Sequence, residues 1–379
     1  MKVLVIGDVI IDKYIIGTST RLSPEAPVPV VAQQDSWEQW GGANNVYLNL
    51  TSLGVDVDLL DLSWPKCIKT RVLCDGHYVT RVDQDFETDG DKTLEMILEK
   101  DFTAFDIVIL SDYNKGVLKH SKEIINHLNK YNCKVIVDPK KHCSFYEGAW
   151  LIKPNKKEYE VFGFNNYTGN IILTDASEKI TATINNKVYS VIPESVEVSD
   201  VTGAGDCFLA TFVYGLSLGK DYESSLKLAV KGATESVRHV GTYVVTLEDL
   251  QERVVFTNGV FDILHRGHFT LLKEARALGE KLIVGVNSDA STKRLKGEDR
   301  PINPQQVRKE QLEMLSWVDE VIVFDEDTPY ELIKKLNPDM IVKGGDYTVE
   351  TVVGHDLAPV KIIPTVKGFS TTDIIEKSK

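Results

Sequence analysis

Residues 253–286 read RVVFTNGVFDILHRGHFTLLKEARALGEKLIVGV, and their order decides the fold. Arg253–Thr257 is a short β-branched run, a glycine-containing turn follows, Gly267–Leu278 has helical spacing, and Lys281–Val286 is apolar again. A strand, a crossover helix and a second strand make a βαβ unit, which implies a parallel sheet. Glu320–Val323 and Met340–Val342 extend the sheet, alternating with helices predicted at Pro304–Leu315 and Pro329–Leu336.

Upstream the same alternation is already running. Strands are expected at Lys2–Ile6, Asp106–Leu110, Lys134–Val137 and Ile171–Leu173, and helices at Asn44–Leu53, Ala204–Ser217 and Ser224–Arg238. Asn185-Asn186 between Ile180–Ile184 and Lys187–Ile192 signals a hairpin. The chain is therefore α/β throughout. Its 379 residues suit two domains, expected at 1–248 and 249–379 with only Thr246–Glu252 between them.

Composition narrows the class. The net charge is −13, and the first 250 residues carry most of it, with 25 Lys+Arg against 35 Asp+Glu. Neither part has the basic excess of a nucleic-acid or anionic-membrane binder. The apolar start of the chain is broken by Gly7 and Asp8, too early for a membrane span, and no apolar stretch near 18 residues occurs elsewhere. Five cysteines without a C-x-x-C pair suggest free thiols, and a soluble cytoplasmic protein is expected.

Two motif sets carry chemistry. In the first half, Asp200-Val201-Thr202-Gly203-Ala204-Gly205-Asp206 opens a predicted helix. The glycines turn successive N–H groups toward one point at a positive helix end, forming an anion hole for a phosphate in transfer. Asp206 stands where a carboxylate takes the proton of an attacking hydroxyl. The bland alternative is a helix start with glycines used for packing. Companions weigh against it: Gly41-Gly42-Ala43-Asn44-Asn45, with Asn45 suited to polyol hydroxyls, and Asp8 and Asp12 past the first strand, where open α/β sheets bind ligands. Asn155 and Glu158, three apart, suit a hydrated Mg²⁺ reached through water.

In the second half, Thr257-Asn258-Gly259-Val260-Phe261-Asp262 leads into His265-Arg266-Gly267-His268. Two imidazoles three apart at a helix start are metal ligands or charge stabilisers. With no third ligand nearby, donors to a phosphate in nucleotidyl transfer fit better. Gly259 lets the backbone approach phosphates, with Thr257, Asn258 and Phe261 around it. Lys296–Arg300 reads as a basic loop, Lys343-Gly344-Gly345 as a glycine turn after a strand, and Ser370-Thr371-Thr372 as a further phosphate nest or an ordinary N-cap.

The D-V-T-G-A-G-D and G-G-A-N-N runs resemble the signatures of ribokinase-like PfkB sugar kinases, and Arg21–Val30, Ser111–Gly116 and Asp138-Pro139-Lys140 are similar to heptose 7-phosphate kinases. The resemblance implies a base at Asp206, an anion hole at Gly203, Ala204 and Gly205, and sugar contacts at Asp8, Asp12, Gly42 and Asn45. It further implies a nucleotide-side pair at Asn155 and Glu158, with Arg71, Arg81 and Lys140 as candidates for the substrate phosphate. The second half resembles cytidylyltransferase-like nucleotidyltransferases, nearest to heptose 1-phosphate adenylyltransferases through Thr257–His268, Asn287–Gly297, Val342–Tyr347 and Ser370–Thr372. That resemblance implies phosphate contacts at His265, His268, Lys296 and Ser370–Thr372, and nucleotide contacts at Asn287 and Asp289, with Lys343 beside them.

The two resemblances together imply ATP and Mg²⁺ in both sites, a sugar-phosphate substrate, and a homodimer formed through the first half. Compared with that family, Val55–Thr70, Phe162–Ile171 and Thr246–Glu252 are short, and Ile172–Ile180 lacks the usual glycines. Two alternatives follow: a first half kept only as a scaffold, or the same chemistries on another sugar phosphate.

Overall fold

The computed structural model describes residues 1–175, 178–345 and 347–364, in two compact units, Met1–Leu250 and Gln251–Lys379. In the first unit the strands are β1 (Lys2–Gly7), β2 (Val9–Thr18), β3 (Ala32–Gly42), β4 (Asp56–Asp61), β5 (Cys67–Cys74), β6 (His77–Gln84), β7 (Ile107–Ser111), β8 (Lys134–Asp138), β9 (Leu151–Ile152), β10 (Asn170–Leu173), β11 (Ile180–Ile184) and β12 (Lys187–Val191). The helices are α1 (Ala43–Ser52), α2 (Gly90–Leu98), α3 (Ser121–Leu128), α4 (Lys156–Val161), α5 (Ala204–Ser217) and α6 (Tyr222–Ser236).

Eight strands form one sheet in the order β12-β11-β10-β9-β8-β7-β1-β4, parallel from β10 to β4 and antiparallel at the β11–β12 edge. Its central strands are apolar on both faces because both are covered. Val3, Val5, Ile107 and Ile109 pack with α1, α5 and α6, while Leu4, Ile6, Val108 and Leu110 pack on the side of α2 and α3. Asn185 and Asn186 take positive φ at the β11–β12 turn, the left-handed conformation that asparagine tolerates.

A second sheet, β3-β2-β5-β6, was not expected. Asp12 therefore sits within strand β2, not in a loop past β1. The strand β3, AQQDSWEQWGG, is exposed almost to its end and carries too few apolar residues to announce itself.

The second unit holds β13 (Val254–Gly259), β14 (Lys281–Asn287), β15 (Glu320–Phe324), β16 (Met340–Gly344) and β17 (Val360–Ile363), all parallel in the order β15-β14-β13-β16-β17. Its helices are α7 (Arg266–Arg276), α8 (Asp289–Lys296), α9 (Gln305–Glu313) and α10 (Tyr330–Leu336). Lys296, expected in a basic loop, is the last residue of α8, and the loop begins at Gly297.

Candidate active sites

In the first unit the start of α5 faces the C-terminal ends of the parallel strands. Gly203 caps the helix with φ +78, and a Cβ there would lie 2.6 Å from Asn45 Nδ2. Only glycine fits that conformation and that space. One turn in, Asp206 is 2% exposed. Tyr113 donates its hydroxyl to Oδ1 at 2.8 Å and Asn45 donates Nδ2 to Oδ2 at 3.0 Å. Burial, then the Asp138 charge, pushes the Asp206 carboxyl up to about 6, against the pull of Asn45, Tyr113 and Lys153.

A cavity of about 240 Å³ opens over this carboxylate, and Gly203, Gly205, Asp138, Lys140 and Lys153 are among the residues that line it. Lys153 is 3% exposed, its Nζ is 3.1 Å from Asp138 Oδ2, and it lies 3.3 Å from where a Gly205 Cβ would stand. A buried ammonium thus adds to the positive end of α5 beside the glycine loop. Sequence reasoning missed Lys153, because a single lysine between Ile152 and Pro154 has no spacing signal.

Other expected residues are placed differently. Asp8 is 1% exposed, and its carboxylate accepts the backbone N–H groups of Tyr113 (2.9 Å), Lys115 (3.1 Å) and Val117 (3.1 Å). It organises the loop after β7 instead of presenting an open carboxylate to a sugar. Asp12 and Arg71 form a buried ion pair between β2 and β5. Arg81 lies on exposed β6, with its guanidinium forked onto Asp83. Gly42, with φ +63, caps α1 where a Cβ would meet the Asp8 carbonyl at 2.3 Å.

Asn155 and Glu158 form a reciprocal capping box: Asn155 Oδ1 accepts from the Glu158 N–H, and Glu158 Oε2 accepts from the Asn155 N–H. The other Glu158 oxygen bonds Lys140. The pair is occupied as a helix cap and does not fit direct ligation of a metal. No cluster of three or more His, Cys, Asp or Glu suited to a metal occurs among the described residues.

In the second unit β13 delivers its C-terminal end to the start of α7. His265 is the N-cap, with Nδ1 accepting from the Gly267 N–H at 3.2 Å, which leaves its proton on Nε2. The His265 and His268 rings stack with centroids 3.9 Å apart. Burial lowers the pKa of His265; burial and then the His265 charge bring His268 down to about 4. Both rings are neutral at pH 7, and His265 has its Nε2–H to donate. His268 Nδ1 and, at the end of β13, Thr257 Oγ1 and Asn258 Oδ1 are buried with no hydrogen-bond partner among the described residues. Orphaned buried polar atoms beside a helix N-terminus mark a place where a ligand completes the bonding.

Lys343 donates Nζ to the Asn258 carbonyl at 2.9 Å, and burial lowers its pKa to about 8. Phe261 is 3% exposed, in a left-handed conformation at φ +50, and its ring packs against His268 at 5.0 Å. It is a wall of the site. Asp289 is half-exposed and already partnered: its Oδ1 accepts from the Gln305 N–H and from Arg308, a fully buried arginine that also holds the carbonyls of Val260 and Asn303. Asn287 is 4% exposed and donates to Ser291. Lys296 is exposed at the end of α8. Ser370, Thr371 and Thr372 lie outside the described residues.

Sequence reasoning also missed Asp262. It is 1% exposed, and its carboxylate accepts from the N–H groups of Ile302 and Asn303 and from Arg300, tying residues 300–303 to the residues before His265.

Residues 256–377 match the cytidylyltransferase-like family and residues 80–249 the pfkB family of carbohydrate kinases. The whole chain is 37% identical to the "Bifunctional protein HldE" of a Nitratiruptor species, covering 99% of that protein, and of Campylobacter fetus, covering 100%. That of Haemophilus influenzae is also 37% identical over the whole chain, with 97% of its length covered. The Nitratiruptor alignment spans 459 positions against 379 residues here, so about 80 positions have no counterpart in this chain. Among solved structures, ribokinase from Thermotoga maritima superimposes with a TM-score of 0.51 at 16% identity, over 65% of this chain and 97% of that one. Phosphofructokinase-2 from Escherichia coli gives 0.53 at 16%, over 65% and 96%. Both are likenesses of fold.

Proposed function

The chain belongs to the family of bifunctional HldE proteins, with a PfkB kinase unit and a cytidylyltransferase-like unit, and on that premise we propose that it carries out both transfers of ADP-heptose synthesis. The first unit moves the γ-phosphoryl group of ATP to the C1 hydroxyl of heptose 7-phosphate. Asp206 takes the hydroxyl proton, while the backbone N–H groups at Gly203–Gly205, the start of α5 and Lys153 hold the charge of the group in transit. The second unit joins heptose 1-phosphate to AMP from ATP. A phosphate oxygen of the sugar attacks the α-phosphorus and pyrophosphate leaves; the neutral His265 and His268 donors and Lys343 stabilise the added negative charge. Mg²⁺ held with the ATP phosphates would supply charge neutralisation, and no protein ligand is assigned to it.

The observation that carries this reading is the buried, doubly hydrogen-bonded Asp206 lining a cavity of about 240 Å³ with the glycine loop and Lys153. The test supplies heptose 7-phosphate and ATP to the full chain and identifies products by mass spectrometry. A sugar bisphosphate that is absent with Asp206→Asn supports the kinase. The short Val55–Thr70 and Phe162–Ile171 stretches favour one second reading, a first unit kept as a scaffold. Adenylyl transfer without any bisphosphate would select it.

The working form we propose is a cytoplasmic homodimer joined through the first unit. The large apolar side chains exposed on the second sheet, Trp37, Trp40 and Val82, support the dimer, and light scattering of the intact chain tests it. The free cysteines fit a reducing compartment. Among the described residues no helix is long and apolar enough to cross a membrane.

A further inference from the structure

We propose that Tyr113 is the positioning residue of the kinase base, and that Asp8 acts on the reaction only by holding Tyr113 in place. The inference rests on the reading of Asp206 as base. The Asp206 carboxylate has one protein donor on each oxygen, Asn45 on Oδ2 and Tyr113 on Oδ1. Asn45 is fixed by α1. Tyr113 sits on a loop, and without a brace its hydroxyl would sweep freely.

The brace is Asp8. Its two carboxylate oxygens take three successive alternate N–H groups of that loop, those of Tyr113, Lys115 and Val117. Asp112 closes the turn by accepting from the Asn114 N–H at 2.7 Å. Asn114 has φ +56 and Gly116 φ +108, and a Cβ at Gly116 would stand 2.2 Å from the Thr88 carbonyl, so the loop has one backbone path. The S-D-Y-N-K-G stretch and the lone Asp8 after β1 are thus parts of one device. It connects the end of the first strand to the catalytic carboxylate.

The chemistry explains why a phenol suits the place. Burial, then the Asp206 charge, holds the Tyr113 hydroxyl well above the usual phenol range, so it stays a donor at any working pH. A donor on Oδ1 favours the ionised carboxylate and opposes the burial that raises it. It also turns the remaining lone pairs toward the cavity. The other charged and titratable groups facing Asp206 are Asp138, Lys140, Lys153 and the neighbouring Cys207, and none of them bonds the carboxylate. On the far side, Lys69 lies 5.4 Å over the Tyr113 ring, a contact that phenylalanine preserves.

The experiment is Tyr113→Phe in the full chain. With the donor gone, the acid limb of kinase kcat/KM should move up by about one unit from its position near 6, the scale of one hydrogen bond to a charged group. Turnover on the alkaline plateau should fall about tenfold from lost orientation, and KM for ATP should hold. A tyrosine with only a packing role would lower activity without moving the limb. An unmoved limb overturns the proposal. The Asp206 titration is also followed directly, by the infrared band of its protonated carboxyl, assigned by its loss in Asp206→Asn. That readout needs no turnover: a wild-type chain that makes no bisphosphate sinks the kinase reading, while the shift of the band in Tyr113→Phe still decides whether Tyr113 positions the base.

Discussion

Replacing Gly203 with alanine puts one methyl group where the structure has room for none. At φ +78 an L-residue costs about 1–2 kcal/mol over glycine. The new Cβ would stand 2.6 Å from Asn45 Nδ2, with Thr242 Cγ2 at 3.2 Å behind it. Asn45 cannot yield freely, since it is wholly buried and its Oδ1 and main-chain carbonyl accept from Asn49. Either the amide leaves Asp206 or the glycine loop moves. The loss of one buried hydrogen bond to a charged group adds about 1.5–3 kcal/mol. The first unit should therefore lose about 2.5–5 kcal/mol, a drop of about 5–20 °C for a unit of this size. Calorimetry of the intact chain reads the melting of that unit, and kinase turnover should fall at least tenfold while adenylyl transfer persists. Unchanged melting with unchanged kinase turnover would refute the claim that the loop depends on its glycine.

Three further outcomes follow from the same geometry. Asp206→Asn removes the base but keeps its shape, so kinase turnover should drop about 100-fold or more with melting preserved; in the wild type, kcat/KM should fall about tenfold per unit below pH 6, because a carboxyl held at about 6 becomes protonated there and cannot accept. His268→Ala should cut adenylyl transfer about 100-fold, and the histidines should leave no limb in the wild-type rate between pH 7 and 8, because His268, brought down to about 4, is already neutral. Arg308→Met leaves the buried carbonyls of Val260 and Asn303 without their donor, so at about 1–3 kcal/mol for each unsatisfied acceptor the second unit should lose about 2–6 kcal/mol, read from its melting transition.

The parallel sheets were legible because burial on both faces writes continuous apolar runs such as Val135–Val137 and Ile107–Leu110 into the chain. The sheet of β2, β3, β5 and β6 was not, since β3 and β6 are largely exposed and polar and are recognised only by their partners. Asp206, Gly203 and the histidine pair announce themselves through local motifs. The structural roles of Asp8 and Asp262 do not, because each is defined by backbone groups more than 35 residues away in the chain, as in the Asp8–Val117 contact at a separation of 109. Asn155 and Glu158 show the opposite case: the spacing read as a metal-side pair is also a capping box, and the structure uses it as one.

The central claim is that one chain performs both transfers, and two incubations of the intact protein with ATP and Mg²⁺ test it most directly. With heptose 7-phosphate, mass spectrometry should find a heptose bisphosphate and ADP; with heptose 1-phosphate, it should find ADP-heptose and pyrophosphate. Product in the second incubation and none in the first, at any sugar concentration, would contradict the account and leave the first unit without a catalytic role.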